Sequence, residues 1–419
     1  MEKLIISQNI HWKNSYKALY QRDVLEKLIA RLDLRQIEAI QGIRRSGKST
    51  LFKLLINHLS QKIEAKKILY LNLDDPFFIP YAKDARKLHE VVEMAEKLTQ
   101  GKIEYLFLDE VQSIEGWERY VKSVYDSETF KKIFITGSNS SFLDGTLAKL
   151  LTGRYFSTKV YPLSFLEILH INKIDSYMDL VEKRAKVLKI IDDMMQFGSF
   201  VEIYNADEEF RRELIKSYYE TILLKDCVSN YSIREVKSFK ELSYFCLSNL
   251  TSLFSYTSLS KAIGITDIST KEYVGYLEDS FMLYELKQFS YSLKEQNSSK
   301  KKIYLSDNGF TLLNFKFSQN LGTLFENLVF SELLKLGYEL YFYNKNYECD
   351  FLAKKDEELI AIQVCYELND RNQKREIRGL EKLPFKCDRK IIITYHQREK
   401  FEKIEVLPFY EAIWTMRNG

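Results

Sequence analysis

From about residue 20 to residue 165, short runs of buried-type side chains alternate with stretches whose apolar positions recur every three or four residues. The runs Ile37 to Gln41, Ile68 to Leu73, Ile103 to Leu108 and Ile133 to Thr136 are short and nearly continuous in their hydrophobicity, which predicts strands covered on both faces. Between them, Leu51, Leu54, Leu55, Leu59 and Ile63 follow helical spacing, as do Leu88, Val91, Val92, Ala95 and Leu98. Strand and helix in alternation predict an α/β fold built on a parallel sheet.

The pattern then changes. From Ser164 to about Cys227 it is helical throughout, with Glu/Lys pairs on the solvent side. Two short helical patterns, around Leu259 and Tyr273, precede strands expected at Phe281 to Gln288 and Lys302 to Leu305, joined by a polar tip from Ser290 to Lys301. Two helices followed by a β-hairpin predict a winged helix-turn-helix. The last hundred residues open with a helix, Leu321 to Leu336, and continue with strands at Leu340 to Asn344, Asp350 to Ala353, Leu359 to Cys365 and Lys390 to Thr394. That is a second, smaller α/β arrangement. A chain of 419 residues exceeds what one core usually supports, so several domains are expected.

Composition narrows the classes. The net charge of +3 is the residue of 62 basic and 59 acidic side chains, a balance that does not demand a polyanionic partner. The 28 Tyr and 27 Phe read as packing residues. Cys227, Cys246, Cys349, Cys365 and Cys387 form no CxxC pair and lie beside no His at metal spacing, which argues against zinc and against a disulfide framework. The first residues carry too short an apolar run for a signal peptide, and no stretch approaches the ~20 apolar residues of a membrane helix. A cytoplasmic protein without a membrane partner is expected.

Gly42-Ile43-Arg44-Arg45-Ser46-Gly47-Lys48-Ser49-Thr50 fits the phosphate-binding pattern GxxxxGK[ST]. Its glycines let the backbone curl so that successive N–H groups face an anion, and the helix that follows aims its positive end at the same place. Gly42, Arg44, Arg45, Ser46, Gly47, Lys48, Ser49 and Thr50 are the candidate ATP-binding residues. Lys48 would reach the β- and γ-phosphates, and Ser49 would ligate Mg²⁺. The strand ending in Leu108-Asp109-Glu110 places two carboxylates at the carboxyl edge of the sheet, where α/β proteins bind ligands. Asp109 would complete the Mg²⁺ shell, and Glu110 would polarise the attacking water. Thr136-Gly137-Ser138-Asn139-Ser140 ends another strand in groups able to report the γ-phosphate, with Ser138 the candidate sensor. Arg154 is a candidate for stabilising transition-state charge, in cis or from a neighbouring subunit. Asn344-Lys345-Asn346-Tyr347 lacks the aspartate that reads guanine, which disfavours GTP.

Taken together, the double-arginine loop, Leu108-Asp109-Glu110-Val111-Gln112 with Gly116-Trp117-Glu118, Thr136-Gly137-Ser138-Asn139, Leu151-Thr152-Gly153-Arg154 and Tyr161-Pro162-Leu163-Ser164-Phe165 resemble a large prokaryotic family of AAA+-type ATPases. The resemblance implies an additional-strand P-loop core in which the strands carrying Lys48 and Asp109 are not neighbours. It also implies a helical lid, a winged helix and a C-terminal domain resembling restriction endonucleases of the PD-(D/E)XK type. The expected divisions are a P-loop core at 1–165, a lid at 166–240, a winged helix-turn-helix at 241–315 and the endonuclease-like domain at 316–419.

Nucleases of that fold use an acidic residue on the first helix, an Asp on a strand, and Glu-x-Lys on the next. Here Glu326 and Asp350 match, but Gln363 and Cys365 replace the Glu and the Lys. A neutral amide is a poorer Mg²⁺ ligand and a thiol supplies no positive charge, so the fold is expected without the catalysis. Lys345 and Lys355 are the nearby lysines that could substitute. The presumed recognition helix, Ser269 to Ser280, offers Lys271 against Glu272, Glu278 and Asp279, a poor match to phosphates. The wing is better supplied, with Lys294, Lys300, Lys301 and Lys302. The leading expectation is a Mg²⁺-dependent ATPase that drives a switch or remodelling step, its C-terminal parts serving DNA or protein interaction. The alternatives are an ATP-regulated nuclease, or a DNA- or protein-binding regulator with structural ATP.

Overall fold

Five strands, β1 (Ile37–Gln41), β2 (Ile68–Asn72), β3 (Tyr105–Asp109), β4 (Lys132–Gly137) and β5 (Tyr155–Lys159), form one sheet in the order β2-β3-β4-β1-β5. All neighbouring pairs are parallel. In this computed structural model, which describes residues 1–143, 150–313 and 320–418, the sheet belongs to the first of two units, Met1–Tyr161; the second is Pro162–Gly419. β4 lies between β1 and β3, so the loop after β1 and the carboxylates after β3 are separated by one strand.

Every residue of β1 and β4 is buried, which is why their sequences do not alternate. One face is closed by the helix Lys48–Leu59, whose Phe52 meets Phe107 edge-on at 5.0 Å, while Phe107 stacks on Phe134 at 4.3 Å. The other face carries Leu88, Val91 and Ala95 from the helix Leu88–Thr99 and Trp117, Tyr120 and Val121 from the helix Trp117–Asp126. β5 was not anticipated from the pattern. It is an edge strand, Tyr-Phe-Ser-Thr-Lys, with only Thr158 buried, and its polar half carries no hydrophobic signal.

The opposite edge, β2, is closed by side chains rather than by a strand. The Asn9 amide accepts from Tyr70 N at 2.7 Å and donates to Tyr70 O at 3.0 Å. Gln8 does the same for Asn72, at 2.9 and 3.3 Å. His11 and Trp12 both approach Ile68 O. The edge that would otherwise template further pairing is thereby satisfied.

The second unit holds a six-stranded sheet in the order β13-β14-β12-β11-β10-β9 and a three-stranded one in the order β6-β8-β7. The strands are β6 (Leu253–Phe254), β7 (Leu283–Lys287), β8 (Lys301–Leu305), β9 (Glu339–Asn344), β10 (Glu348–Lys355), β11 (Glu358–Cys365), β12 (Arg389–Thr394), β13 (Glu399–Phe401) and β14 (Ile404–Pro408). The helix Leu321–Lys335 precedes the antiparallel meander β9-β10-β11; the helix Gln373–Glu381 then leads to β12, which runs parallel to β11. β13 and β14 were not foreseen.

The expected hairpin of β7 and β8 is present, but its tip is not simply an extended polar loop, because Leu293–Ser298 is helical and capped by Ser292. The lid, winged-helix and C-terminal segments expected at 166–240, 241–315 and 316–419 fall within this one unit, and the boundary at 315/316 lies outside the described residues. Leu163, Phe165, Ile168, Ile191 and Met194 share one core with Phe325, Val329, Ile362, Ile393 and Phe409. A buried polar network joins the same segments: Ser199 N donates to Asp307 Oδ2 at 2.7 Å, Asn327 Nδ2 to Asn308 Oδ1 at 2.6 Å, and Phe165 N to Glu332 Oε2 at 2.9 Å.

Candidate functional site

The loop after β1 is shaped by two glycines in left-handed conformations. At Gly42, φ is +154° and an added Cβ would lie 2.0 Å from Val160 O; Gly47, at φ +98°, starts the helix Lys48–Leu59 in the left-handed region. Arg22, buried, braces the loop from outside by donating to Ser46 O at 2.9 Å and Tyr161 O at 2.7 Å. The Lys48 ammonium folds back into the loop, 2.9 Å from Gly42 O and 3.7 Å from Glu110 Oε1.

Asp109 is held from three sides. Thr136 Oγ1 donates to Oδ1, Tyr70 OH to Oδ2 at 2.8 Å, and the Ser49 side chain also hydrogen-bonds to it. Burial raises its pKa, the neighbouring Glu110 adds to the rise, and these three bonds oppose it. Glu110 follows with φ +55°, its N–H accepted by Thr136 Oγ1 at 2.9 Å. Burial works against its charge, yet Lys48 and Arg44, with the hydrogen bonds from Gln112 and Ser138, outweigh burial and hold the carboxyl below its ordinary value. Gln112 Nε2 donates to Glu110 Oε2 and lies 3.4 Å from Ser138 Oγ, which Arg44 Nη2 reaches at 3.5 Å. Arg44, Lys48, Ser49, Asp109, Glu110 and Ser138 are therefore drawn together by the parallel strands.

A triphosphate and Mg²⁺ fit this donor set. Ser46 Oγ is buried with no hydrogen-bond partner among the described residues, inside a loop that a Cβ at Gly42 would obstruct. Ser49 and Asp109 are in contact, as a hydroxyl and a carboxylate sharing one Mg²⁺ would be. Among the described residues no group of three or more His, Cys, Asp or Glu is arranged to hold a metal ion. Mg²⁺ sites completed by phosphate oxygens need only one or two protein ligands.

Arg154 does not join the site. Ile37 N, at the amino end of β1, donates to Arg154 O at 2.9 Å, whereas the loop leaves β1 at Gln41, about 13 Å further along the strand. The Arg154 side chain binds Leu150 O at 2.9 Å and lies 3.6 Å from Asp126. Arg154 thus lies at the opposite end of β1 from the loop, with its side chain turned to Leu150 and Asp126. Trp117 packs near Phe142 in the core.

In the second unit Glu326 and Asp350 do converge, around Lys302 of the expected wing. Lys302 Nζ lies 3.4 Å from Asp350 Oδ1, 3.4 Å from Glu348 Oε1 and 3.6 Å from Glu326 Oε1. Burial disfavours the ammonium, but the three carboxylates outweigh it and hold its pKa above the ordinary value. Glu326 also accepts from Tyr304 OH at 2.6 Å; burial and then Asp350 raise its pKa. Val364 N donates to Asp350 Oδ2 at 3.0 Å, and Gln363 Nε2 to Glu376 Oε2 at 2.6 Å. Cys365 Sγ is engaged with Glu367 O, and burial pushes its thiol up to about 11.

The two lysines considered as substitutes are elsewhere: Lys345 pairs with Glu295, and Lys355 lies over Tyr338. The basic wing is likewise corrected, since Lys301 and Lys302 are buried and only Lys294 and Lys300 are exposed. Period-two spacing could place Gln363 and Cys365 on one face. No local signal could bring Lys302, 48 residues before Asp350, to the same point.

The fold and the site define the N-terminal unit as a P-loop NTPase of the AAA class: a parallel β2-β3-β4-β1-β5 sheet with a glycine-bounded loop after β1 and paired carboxylates after β3. Residues 34–169 match the description of an AAA domain; residues 188–319 and 321–412 match two domains of unknown function, DUF8612 and DUF4143. The chain belongs to the same family as the Methanocaldococcus jannaschii protein MJ1544, described as uncharacterized, to which it is 35% identical over 98% of its own length and 94% of that protein's. An uncharacterized Haemophilus influenzae protein is 31% identical over 96% of this chain and all of its own. Among solved structures, Cdc6p from Pyrobaculum aerophilum aligns over 69% of this chain and 91% of its own at 14% identity, with a TM-score of 0.30. That value is too low to bear on the fold, which stands on the strand order and the domain match.

Proposed function

We propose that the chain hydrolyses ATP with Mg²⁺ in the N-terminal unit and uses the nucleotide state to switch the conformation of the C-terminal parts, which engage DNA or a protein. The observation that carries this reading is the Lys48–Glu110 pair at 3.7 Å beside the buried Asp109. It supports the reading because Lys48, Glu110 and Asp109 stand together at the carboxyl edge of the sheet, where α/β proteins bind ligands.

In this reading the N–H groups of residues 42–49 and the Lys48 ammonium hold the β- and γ-phosphates. Ser49 and Asp109 hold Mg²⁺, which supplies positive charge to the phosphate oxygens. Glu110, kept anionic by Lys48 and Arg44, orients water and accepts its proton. Ser138, tied to Arg44 and through Gln112 to Glu110, transmits the presence of the γ-phosphate. Arg154 acts from one subunit on the next.

Residues 241–315 serve as the winged helix and 316–419 as an endonuclease-like domain without catalysis. The helix–three-strand–helix–strand order of residues 321–394 supports the latter. The nuclease alternative draws on Glu326 and Asp350 converging, but Gln363 is engaged with Glu376 and Cys365 is neutral.

The test is phosphate release with ATP and Mg²⁺, alone and with single- or double-stranded DNA. Mg²⁺-dependent release supports the reading, and its absence under all conditions overturns it. Stimulation by DNA would identify nucleic acid as the effector; hydrolysis indifferent to DNA would favour a protein.

A further inference from the structure

The carboxylates of Glu326, Glu348 and Asp350 come from three places in the second unit: the helix Leu321–Lys335, the first residue of β10 and its third. They meet at one point, and an ammonium is already there. Lys302 arrives from β8, in the other sheet of the unit, with its side chain over the Phe342 ring and only 5% exposed. Its three nitrogen–oxygen distances of 3.4, 3.4 and 3.6 Å are those of ion pairs. Bonds to Mg²⁺ would need about 2.1 Å.

The surroundings engage part of the donor set. Asp350 Oδ2 accepts from Val364 N, Glu326 Oε1 accepts from Tyr304 OH, and Gln363, at the position of a third ligand, is turned to Glu376. Arg375 pairs with Glu376 at 2.5 Å, and its charge is also felt at Glu348 and Asp350.

We propose that Lys302 is the resident cation of this cluster, filling the position a divalent metal would need, so that the site binds no metal while Lys302 is in place. The lysine then performs the charge balancing that a metal performs in an active nuclease of this topology. It does so without open coordination positions, so no water can be activated there. It also fastens β8 to the six-stranded sheet: an ion that belongs to the chain cannot be chelated away, and the tie holds at any Mg²⁺ concentration. Lys302 is thus a positioning residue. The inference does not depend on the ATPase reading, because it concerns groups of the second unit alone.

The experiment is Mn²⁺ binding to the full-length chain without nucleotide, followed by electron paramagnetic resonance. Wild type and Asp350→Asn should take up the same amount of Mn²⁺, since none is bound through Asp350. Lys302→Met, which keeps the length of the stem and removes the charge, should gain one Mn²⁺ per chain, lost again in Lys302→Met/Asp350→Asn. A wild-type chain that binds Mn²⁺ through Asp350 overturns the proposal, and so does a folded Lys302→Met chain that gains none. The wild-type comparison needs no Lys302 variant and decides the matter if that variant does not fold. Plasmid nicking by wild type that is abolished in Asp350→Asn would likewise overturn it.

Discussion

The Lys48 ammonium stands 3.7 Å from the Glu110 carboxylate although the strands that carry them, β1 and β3, do not touch. β4 lies between, and its Thr136 hydroxyl donates to Asp109 while accepting from Glu110 N. The two charges neutralise one another in a largely buried place. Lys48→Ala should abolish Mg²⁺-dependent phosphate release. Glu110→Gln should still bind ATP, with turnover lowered on the order of 10²- to 10⁴-fold. Phosphate release and fluorescent-nucleotide titration check both, and normal turnover in the two variants would sink the assignment.

Lys48 and Arg44, aided by hydrogen bonds from Gln112 and Ser138, keep the Glu110 carboxyl below its ordinary pKa against the effect of burial. Arg44→Ala removes one of those cations, so the carboxyl should protonate at higher pH. The acidic limb of the pH–rate profile should move upward while the plateau changes less. An unmoved limb would mean that Glu110 is not the group titrating.

Gly42→Ala should be among the most damaging small changes in the first unit. Its Cβ would sit 2.0 Å from Val160 O, a backbone atom that cannot swing aside. A loss of about 2 kcal/mol or more is expected, with nucleotide binding lost alongside. Gly116→Ala is the control: nothing lies within 4 Å of its added Cβ, and only the left-handed φ of +76° is penalised, by about 1–2 kcal/mol. Thermal unfolding of the pair separates steric from conformational cost.

His11 gives the N-terminal segment an acid limit. It is buried against Ile68 O, and burial lowers its pKa from 6.5 to about 4, although the bond to Ile68 O opposes that. Between those values the unfolded chain binds the proton and the folded chain does not, so stability rises with pH across the window. It is lost as pH falls from about 6.5 toward about 4, by up to ~3 kcal/mol. Urea midpoints measured across that range should flatten in His11→Gln. An unchanged slope would remove His11 as the cause.

Beneath the sheet, Lys132 and Glu38 form a pair with both side chains 0% exposed, 3.3 Å apart. Lys132 also donates to Arg31 O and Leu34 O, at 2.9 and 2.8 Å. Glu38 also faces Arg31 Nη1 at 3.7 Å, so Lys132→Met should cost about 3 kcal/mol by leaving the buried carboxylate with that longer pair alone. Lys132→Met/Glu38→Leu should recover part of that, not all, because the two carbonyls stay unpaired. A double variant no better than the single would show that the carbonyls, not Glu38, dominate.

Much of the first unit was legible because its signals are local. β1, β2, β3 and β4 announce themselves as continuous apolar runs, and Gly42, Gly47, Lys48 and Ser49 are fixed by the backbone path a phosphate loop must take. β5 escaped because an edge strand needs little hydrophobicity, and Tyr70 escaped because nothing in its neighbours says its hydroxyl meets Asp109. The position of Arg154 could not be read for the same kind of reason. A Gly-Arg pair carries no mark of which end of a strand it will occupy.

In the second unit the strands β9 to β12 could be read from period and turn chemistry, while the wing lysines could not be sorted. Lys300 faces solvent and Lys302, two residues on, is enclosed by three carboxylates. The sequence by itself determined the class of fold, the phosphate loop and the identity of the paired carboxylates, because each depends on residues a few positions apart. Only the tertiary structure decided that Arg154 lies at the far end of β1 from the Gly42–Lys48 loop and that Lys302 meets Glu326, Glu348 and Asp350. Those outcomes depend on distances between segments remote in the chain, which packing sets and local propensity does not encode.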